Sequence, residues 1–258
     1  MIDLIKPVHG ICPACDNPIL LVGLFKSEQE SHGRKPYGRH YRGDVPGLCR
    51  YDEEAYLNCP LADPNHQFKT RKRKPSNPTG VALYRIMRTQ FDRVIKAWET
   101  YSGIHMSDAY AERMIRLWRG DEGWRYYDTT YRNLPQSLFR AAGAQNLVGR
   151  YLIADSWISD RIGQLPGIRL ESKPGGYRQV RKIGDGFMKL DFVLYNRELH
   201  RQGEHVDESY TMRIVQDNQP VMPETNLITD PNWLAHMKAF DHDHRDRRLL
   251  DIADRILA

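Results

Sequence analysis

The sequence predicts an α+β protein with a cysteine-stapled N-terminal module, central amphipathic helices and a C-terminal antiparallel sheet with packed helices. Three observations predict it. All four cysteines fall within the first 59 of 258 residues. From Val81 to about residue 165 apolar residues recur at three- and four-residue steps, and from Ile168 they alternate with polar ones. Hydrophobic residues make up 40% and charged residues 28%, ordinary globular values that argue against disorder and coiled coil. The expected organisation is a module over 1–68, a basic Pro-rich linker over 69–80 and an α+β domain over 81–258, helical to 165 and mainly β with a terminal helix from 166.

In the first module, Cys12-Pro13-Ala14-Cys15 has the C-x-x-C spacing that lets two thiolates converge on one tetrahedral ion at a hairpin tip, and Ile19 to Phe25 can form the returning strand. Cys49 and Cys59 are the thiols available to complete a structural zinc site of Cys12, Cys15, Cys49 and Cys59, with His9, His32, His40 and His66 as rivals for either of the last two places. Four protein ligands leave no open position, so the zinc is expected to be structural. The intervening stretch, Lys26 to Leu48, has few apolar residues, and metal binding can supply the folding free energy that burial does not. Disulfides and a redox pair are the competing readings. The first needs an oxidising compartment, and the second a helix after the pair where β-type residues stand instead.

The net charge of +5 comprises a surplus of three over 1–80 (12 Lys and Arg against 9 Asp and Glu), three over 81–165 (12 against 9) and a deficit of one over 166–258 (14 against 15). Global basicity is a weak argument for nucleic acid, and only local patches can carry it. Two are expected to. Lys69, Arg71, Lys72, Arg73 and Lys74 form the densest cationic run, which can meet phosphate without reading sequence. Tyr37, Arg39, Tyr41 and Arg42 interleave aromatics that can stack on bases with cations that can meet the backbone. The sequence does not distinguish DNA from RNA.

Further on, Tyr84 to Trp98 predicts a helix of about five turns, and Ser107 to Gly120 a second helix with Ser107 as its cap. Leu147, Tyr151, Ala154, Ile158 and Ile162 predict a third. Next come a hairpin of Ile168–Lys173 and Tyr177–Ile183, strands over Phe187–Tyr195 and Ser209–Gln216 in a sheet of about four, and a closing helix from about Asp246 to Leu257.

These features lead to a zinc-containing intracellular protein acting as a nucleic-acid-binding or assembly subunit. One alternative is a metal-dependent nuclease, since Asp160 followed by Glu171-Ser172-Lys173 matches a D…(D/E)-x-K order, although a cross-strand charge pair explains Glu171 and Lys173 more simply. Another is a scaffold that docks a protein partner on exposed Trp118, Trp124, Tyr126 and Tyr127. His236 with Asp241-His242-Asp243-His244 reads as a polar loop entering the last helix. No apolar run approaches the roughly 20 residues of a membrane span, and the first residues lack the pattern of an export signal, so a cytoplasmic location is expected.

Overall fold

The computed structural model describes residues 7–27, 29–31, 35–57, 59, 61–62, 71–202, 205–240 and 244–258. The chain divides into two compact units: 1–82 with 125–130 and 198–208, and 83–124 with 131–197 and 209–258. In chain order the elements are β1 (His9–Ile11), β2 (Pro18–Val22), β3 (Tyr37–His40), α1 (Glu53–Leu57), α2 (Pro78–Thr89), α3 (Phe91–Ser102), α4 (Asp108–Gly120), α5 (Leu134–Ser137), β4 (Gln145–Asn146), β5 (Tyr151–Ile153), α6 (Trp157–Ile162), β6 (Ile168–Lys173), β7 (Tyr177–Lys182), β8 (Leu190–Gln202), β9 (His205–Gln216), β10 (Gln219–Pro220), β11 (Thr225–Ile228), α7 (Trp233–Phe240) and α8 (Arg247–Ile256). Helices and antiparallel sheets together make this an α+β protein. No helix among the described residues is long and apolar enough to cross a membrane.

The first unit is built on the antiparallel sheet β1-β2-β3. Its register pairs Gly10 with Ile19, Leu21 with Gly38 and Ile19 with His40. Because side chains alternate along a strand, Gly10, Ile19, Leu21, Gly38 and His40 share one face. A Cβ on Gly38 would lie 2.7 Å from Ile19 Cδ1, so only glycine lets Ile19 pack there. The opposite face carries His9, Ile11, Leu20, Val22, Tyr37 and Arg39.

The expected linker takes another form. Lys72 bridges Tyr126, the Arg73 N–H donates to the Arg125 carbonyl, and the Tyr127 N–H donates to the Arg71 carbonyl at 3.2 Å. This isolated bridge ties residues 71–73 to 125–127, and Pro78 opens α2 five residues after Arg73. Lys69 lies outside the described residues.

The second unit has one core, centred on α3, with α5, α7 and α8 packed against it and α4 against α8. Trp98, fully buried, meets Phe139 at 3.8 Å between ring centroids and Phe192 at 6.0 Å. The expected five-turn helix is interrupted at Gln90. Arg245 Nη2 takes the Thr89 carbonyl at 2.8 Å, and Thr89 Oγ1 turns back to the Arg85 carbonyl. Gly103 ends α3 in the left-handed region, at φ 72°, its N–H donating to the Glu99 carbonyl at 2.8 Å. A Cβ there would lie 2.6 Å from Ser156 Cβ and 2.8 Å from Ile158 Cγ2. Gly103→Ala is therefore expected to destabilise this unit by about 2 to 3 kcal/mol, measured by denaturant unfolding, from steric overlap added to backbone strain.

Two helical expectations need correction. Ser107 precedes α4, but its hydroxyl makes no capping bond. The third helix does not form: β5 pairs with β7, and only the short α6 follows, capped by Ser156 accepting from the Ser159 N–H. Gly149 at φ 86° takes the backbone out of helical space, which an apolar period cannot reveal. The hairpin of β6 and β7 forms as expected and, with β5, makes a three-stranded sheet, while β10-β9-β8-β4 with β11 on β9 makes a second. Of the scaffold aromatics, Trp118 is buried, and Trp124, Tyr126 and Tyr127 are half-buried. They do not form the exposed patch that reading required.

Candidate metal centre

Cys12, Cys15, His40 and Cys59 converge in the first unit, their ligand atoms all within 4.8 Å of one another. The three cysteines are buried and unbridged. The knuckle places the first two. The Cys12 N–H donates to the Asn17 carbonyl at 2.8 Å and the Asp16 N–H to the Cys12 carbonyl at 3.0 Å. Asp16, at φ 58°, supplies the left-handed residue that closes the turn. β3 places His40, on the sheet face shared with Ile19. The third cysteine follows α1, with the Cys59 N–H donating to the Tyr56 carbonyl at 3.0 Å.

Several side chains hold these elements in position. Asn17, 1% exposed, donates from Nδ2 to the Asp52 carbonyl at 2.9 Å and accepts from the Asp52 N–H at 2.7 Å, tying the knuckle to α1. Its Nδ2 also donates to Cys15 Sγ at 3.4 Å, which orients the sulfur. The Tyr56 ring meets the His40 ring edge-on at 5.4 Å. Arg73, fully buried, donates to the carbonyls of Ala14, Tyr126, Tyr127 and Thr129, so the backbone between the two knuckle cysteines is fixed by a guanidinium. The Asp16 carboxylate accepts from Asn77 Nδ2 and Thr79 Oγ1.

The spacing of the donor atoms suits a tetrahedral ion. Metal–sulfur bonds of about 2.3 Å and metal–nitrogen bonds of about 2.05 Å at tetrahedral angles put sulfurs about 3.8 Å apart and sulfur and nitrogen about 3.6 Å apart. Cys12 Sγ and Cys59 Sγ are 3.7 Å apart, far from the roughly 2.05 Å of a disulfide. His40 Nε2 lies 3.4 Å from Cys15 Sγ and 3.5 Å from Cys59 Sγ. Electrostatics favour the same reading. Bonds from the Cys15 and Cys59 thiols pull Cys12 down to about 4, while the Cys59 thiol, next to the other two sulfurs and buried, is pushed up. Three buried sulfurs of this kind share negative charge poorly unless a cation lies between them.

The fourth member of the group is His40, where Cys49 was expected. Cys49 is half-buried in a turn, its N–H donating to the Val45 carbonyl at 3.2 Å, and it lies outside the group. Burial and the Asp16 and Asp44 carboxylates push its thiol up. His40 was one of four histidines in the running. The signal that singles it out is strand parity, since it is two residues from Gly38 on the face that packs against the knuckle.

The expected nucleic-acid residues are divided. Arg39, Tyr41 and Arg42 are exposed and Tyr37 half-exposed. Tyr41 lies edge-on to His9 at 5.2 Å between centroids. The Arg42 guanidinium sits 4.6 Å over the Tyr56 ring, and its Nη2 donates to the Tyr56 hydroxyl at 2.7 Å. Arg71 and Lys74 are exposed and Lys72 rests over Tyr126 at 4.9 Å, whereas Arg73 points inward and is unavailable to phosphate.

The residues of the nuclease reading have cationic neighbours. Glu171 accepts from Arg169 at 2.8 Å, Arg181 at 3.2 Å and Lys173 at 3.3 Å, and Asp160 lies 3.7 Å from Arg178. These contacts make a charge network around Glu171. Of the C-terminal polar loop, Asp241, His242 and Asp243 lie outside the described residues. No family model, curated protein or solved structure matches the chain.

Proposed function

We propose that the chain is a zinc-dependent nucleic-acid-binding subunit in which one structural zinc on Cys12, Cys15, His40 and Cys59 fixes a small sheet that contacts nucleic acid on its far face. The alternation along β3 carries this reading. His40 points to the metal group, while Tyr37 and Arg39 point the other way, beside Tyr41 and His9. Zinc is the ion that three thiolates and one imidazole suit, and a closed protein sphere makes its role structural, not catalytic. Exposed rings can stack on unpaired bases with little regard to sequence, and Arg39 and Arg42 can meet phosphates on either side. Single-stranded nucleic acid is therefore the favoured partner.

Elemental analysis is expected to find one zinc per chain. The double variant Arg39→Glu/Arg42→Glu should bind single-stranded oligonucleotide at least about ten-fold more weakly in a salt titration. The slope of log affinity against log salt should be smaller by roughly 1.4, about 0.7 per lost phosphate contact. Equal affinity and slope for variant and wild type would remove the sheet face from the account.

An assembly role is the second reading. It rests on apolar side chains left open in the same unit: Phe25 is 72% exposed, and Ile11 and Leu24 nearly half. Capture of a protein partner that survives nuclease treatment and is lost in Phe25→Asp would favour it.

A further inference from the structure

We infer that the second unit holds a separate binding site for a small organic oxyanion, seated against a hydrogen-bonded pair of His105 and Glu99. The site is an open groove of about 1000 Å³ lined by α3, the connection that follows it, β7 and the start of α8. That volume is in the range of small-molecule sites.

Its centre arises from a local turn. Gly103 reverses the chain at the end of α3, which brings His105 back beside Glu99 on the last turn of the helix. His105 Nδ1 lies 2.7 Å from Glu99 Oε1, and the same oxygen accepts from the Met106 N–H at 3.0 Å. Glu99 is 7% exposed. A buried carboxylate with two donors fixes both the tautomer and the tilt of the imidazole. The Tyr177 ring covers one side of it at 4.3 Å. Among the described residues Nε2 has no protein partner, and with Nδ1 donating to Glu99 the ring meets an oxyanion as the imidazolium, through Nε2–H.

The charges around the groove indicate what that ligand is. Among the described residues each acid in the lining already has a partner. Asp92 takes Arg245 through both oxygens at 2.6 and 2.9 Å, Glu99 takes His105, and Asp108 lies 4.0 Å from Arg248. Asp246 accepts from the Arg248 and Leu249 N–H groups at the start of α8. Lys96 and Arg247 line the same groove, are exposed, and have no ion pair among the described residues. The uncommitted charge is therefore positive, beside an oriented imidazole and the apolar side chains of Ile95 and Met237. Phosphate and carboxylate esters or acids share the chemistry that this arrangement recognises.

Zinc-loaded full-length protein titrated with inorganic phosphate, and separately with acetate, tests the site through the ring nitrogens of His105 in long-range ¹H–¹⁵N spectra. Chloride at matched ionic strength is the control. A saturable shift of Nε2 with one or both oxyanions, absent with chloride, is expected, and the stronger arm identifies phosphate or carboxylate as the class. Lys96→Ala and Arg247→Ala, both on the surface, should each weaken it about ten-fold, the loss of one charge-assisted contact. No saturable shift, an equal shift with chloride, or undiminished affinity in both variants overturns the proposal.

Discussion

Replacing Cys59 with serine is expected to release the bound metal and unfold the first compact unit while the second keeps its helices. Cys59 sits at the end of a chain of dependencies. Its sulfur is 3.7 Å from Cys12 Sγ and 3.5 Å from His40 Nε2, and the buried apolar cluster around it amounts to Cys12, Ala14, Cys15, Ala55 and Cys59 themselves. Among the described residues so small a core does little to offset the entropy of ordering the segment, and under the proposed zinc the metal bonds supply the difference, on the order of 10 kcal/mol at neutral pH. Cys49→Ser is the paired control. Metal content by mass spectrometry and the ring resonances of Tyr37 and Tyr56 should be lost in Cys59→Ser and kept in Cys49→Ser. Equal loss in both variants would restore Cys49 to the ligand set and displace His40.

Arg73→Met should be the most damaging change in the basic tract, costing about 3 to 5 kcal/mol of first-unit stability by denaturant unfolding. Methionine keeps the volume but removes every donor, leaving the carbonyls of Ala14, Tyr126, Tyr127 and Thr129 without the guanidinium that joins them. Lysine offers one compact ammonium in place of a planar fork and should recover only part of the loss. Lys74→Ala, one position on and exposed, should stay within about 0.5 kcal/mol of wild type. If Arg73→Met unfolds at the same denaturant concentration as Lys74→Ala, the guanidinium has no structural role.

These two sites show what the sequence makes legible and what it withholds. The C-x-x-C spacing of Cys12 and Cys15 is a local geometric statement, and Cys59 followed from a shortage of other thiols. The choice between Cys49 and His40 depended on the register of β3 against β2, a non-local pairing that composition does not encode. In the basic run, Lys72, Arg73 and Lys74 look equivalent as charges. Only their pairing with 125–127 turns Arg73 inward, and nothing in residues 69–80 announces a partner some fifty positions away. Periodicity located α4 and α8 and the β6–β7 hairpin because burial on one face repeats with the backbone period. It failed over 147–162, where Gly149 and the Ser156 cap override an apolar pattern that suited a helix. The His105–Glu99 pair was invisible for a similar reason: a spacing of six suits neither helix nor strand, and the two meet because Gly103 turns the chain between them.

The composition of the first unit also has a consequence for the order of events during synthesis. The Cys12–Cys15 knuckle is synthesised before the rest of the unit, yet the unit draws on residues 125–130 and 198–208, and Ala14 is clasped by an arginine that also donates to Tyr126, Tyr127 and Thr129. The segment up to residue 82 can bring Cys12, Cys15, His40 and Cys59 together early but must wait for residues 198–208 before its packing is complete. A fragment ending at residue 82 would therefore carry Cys12, Cys15, His40 and Cys59 and still lack part of its own interior.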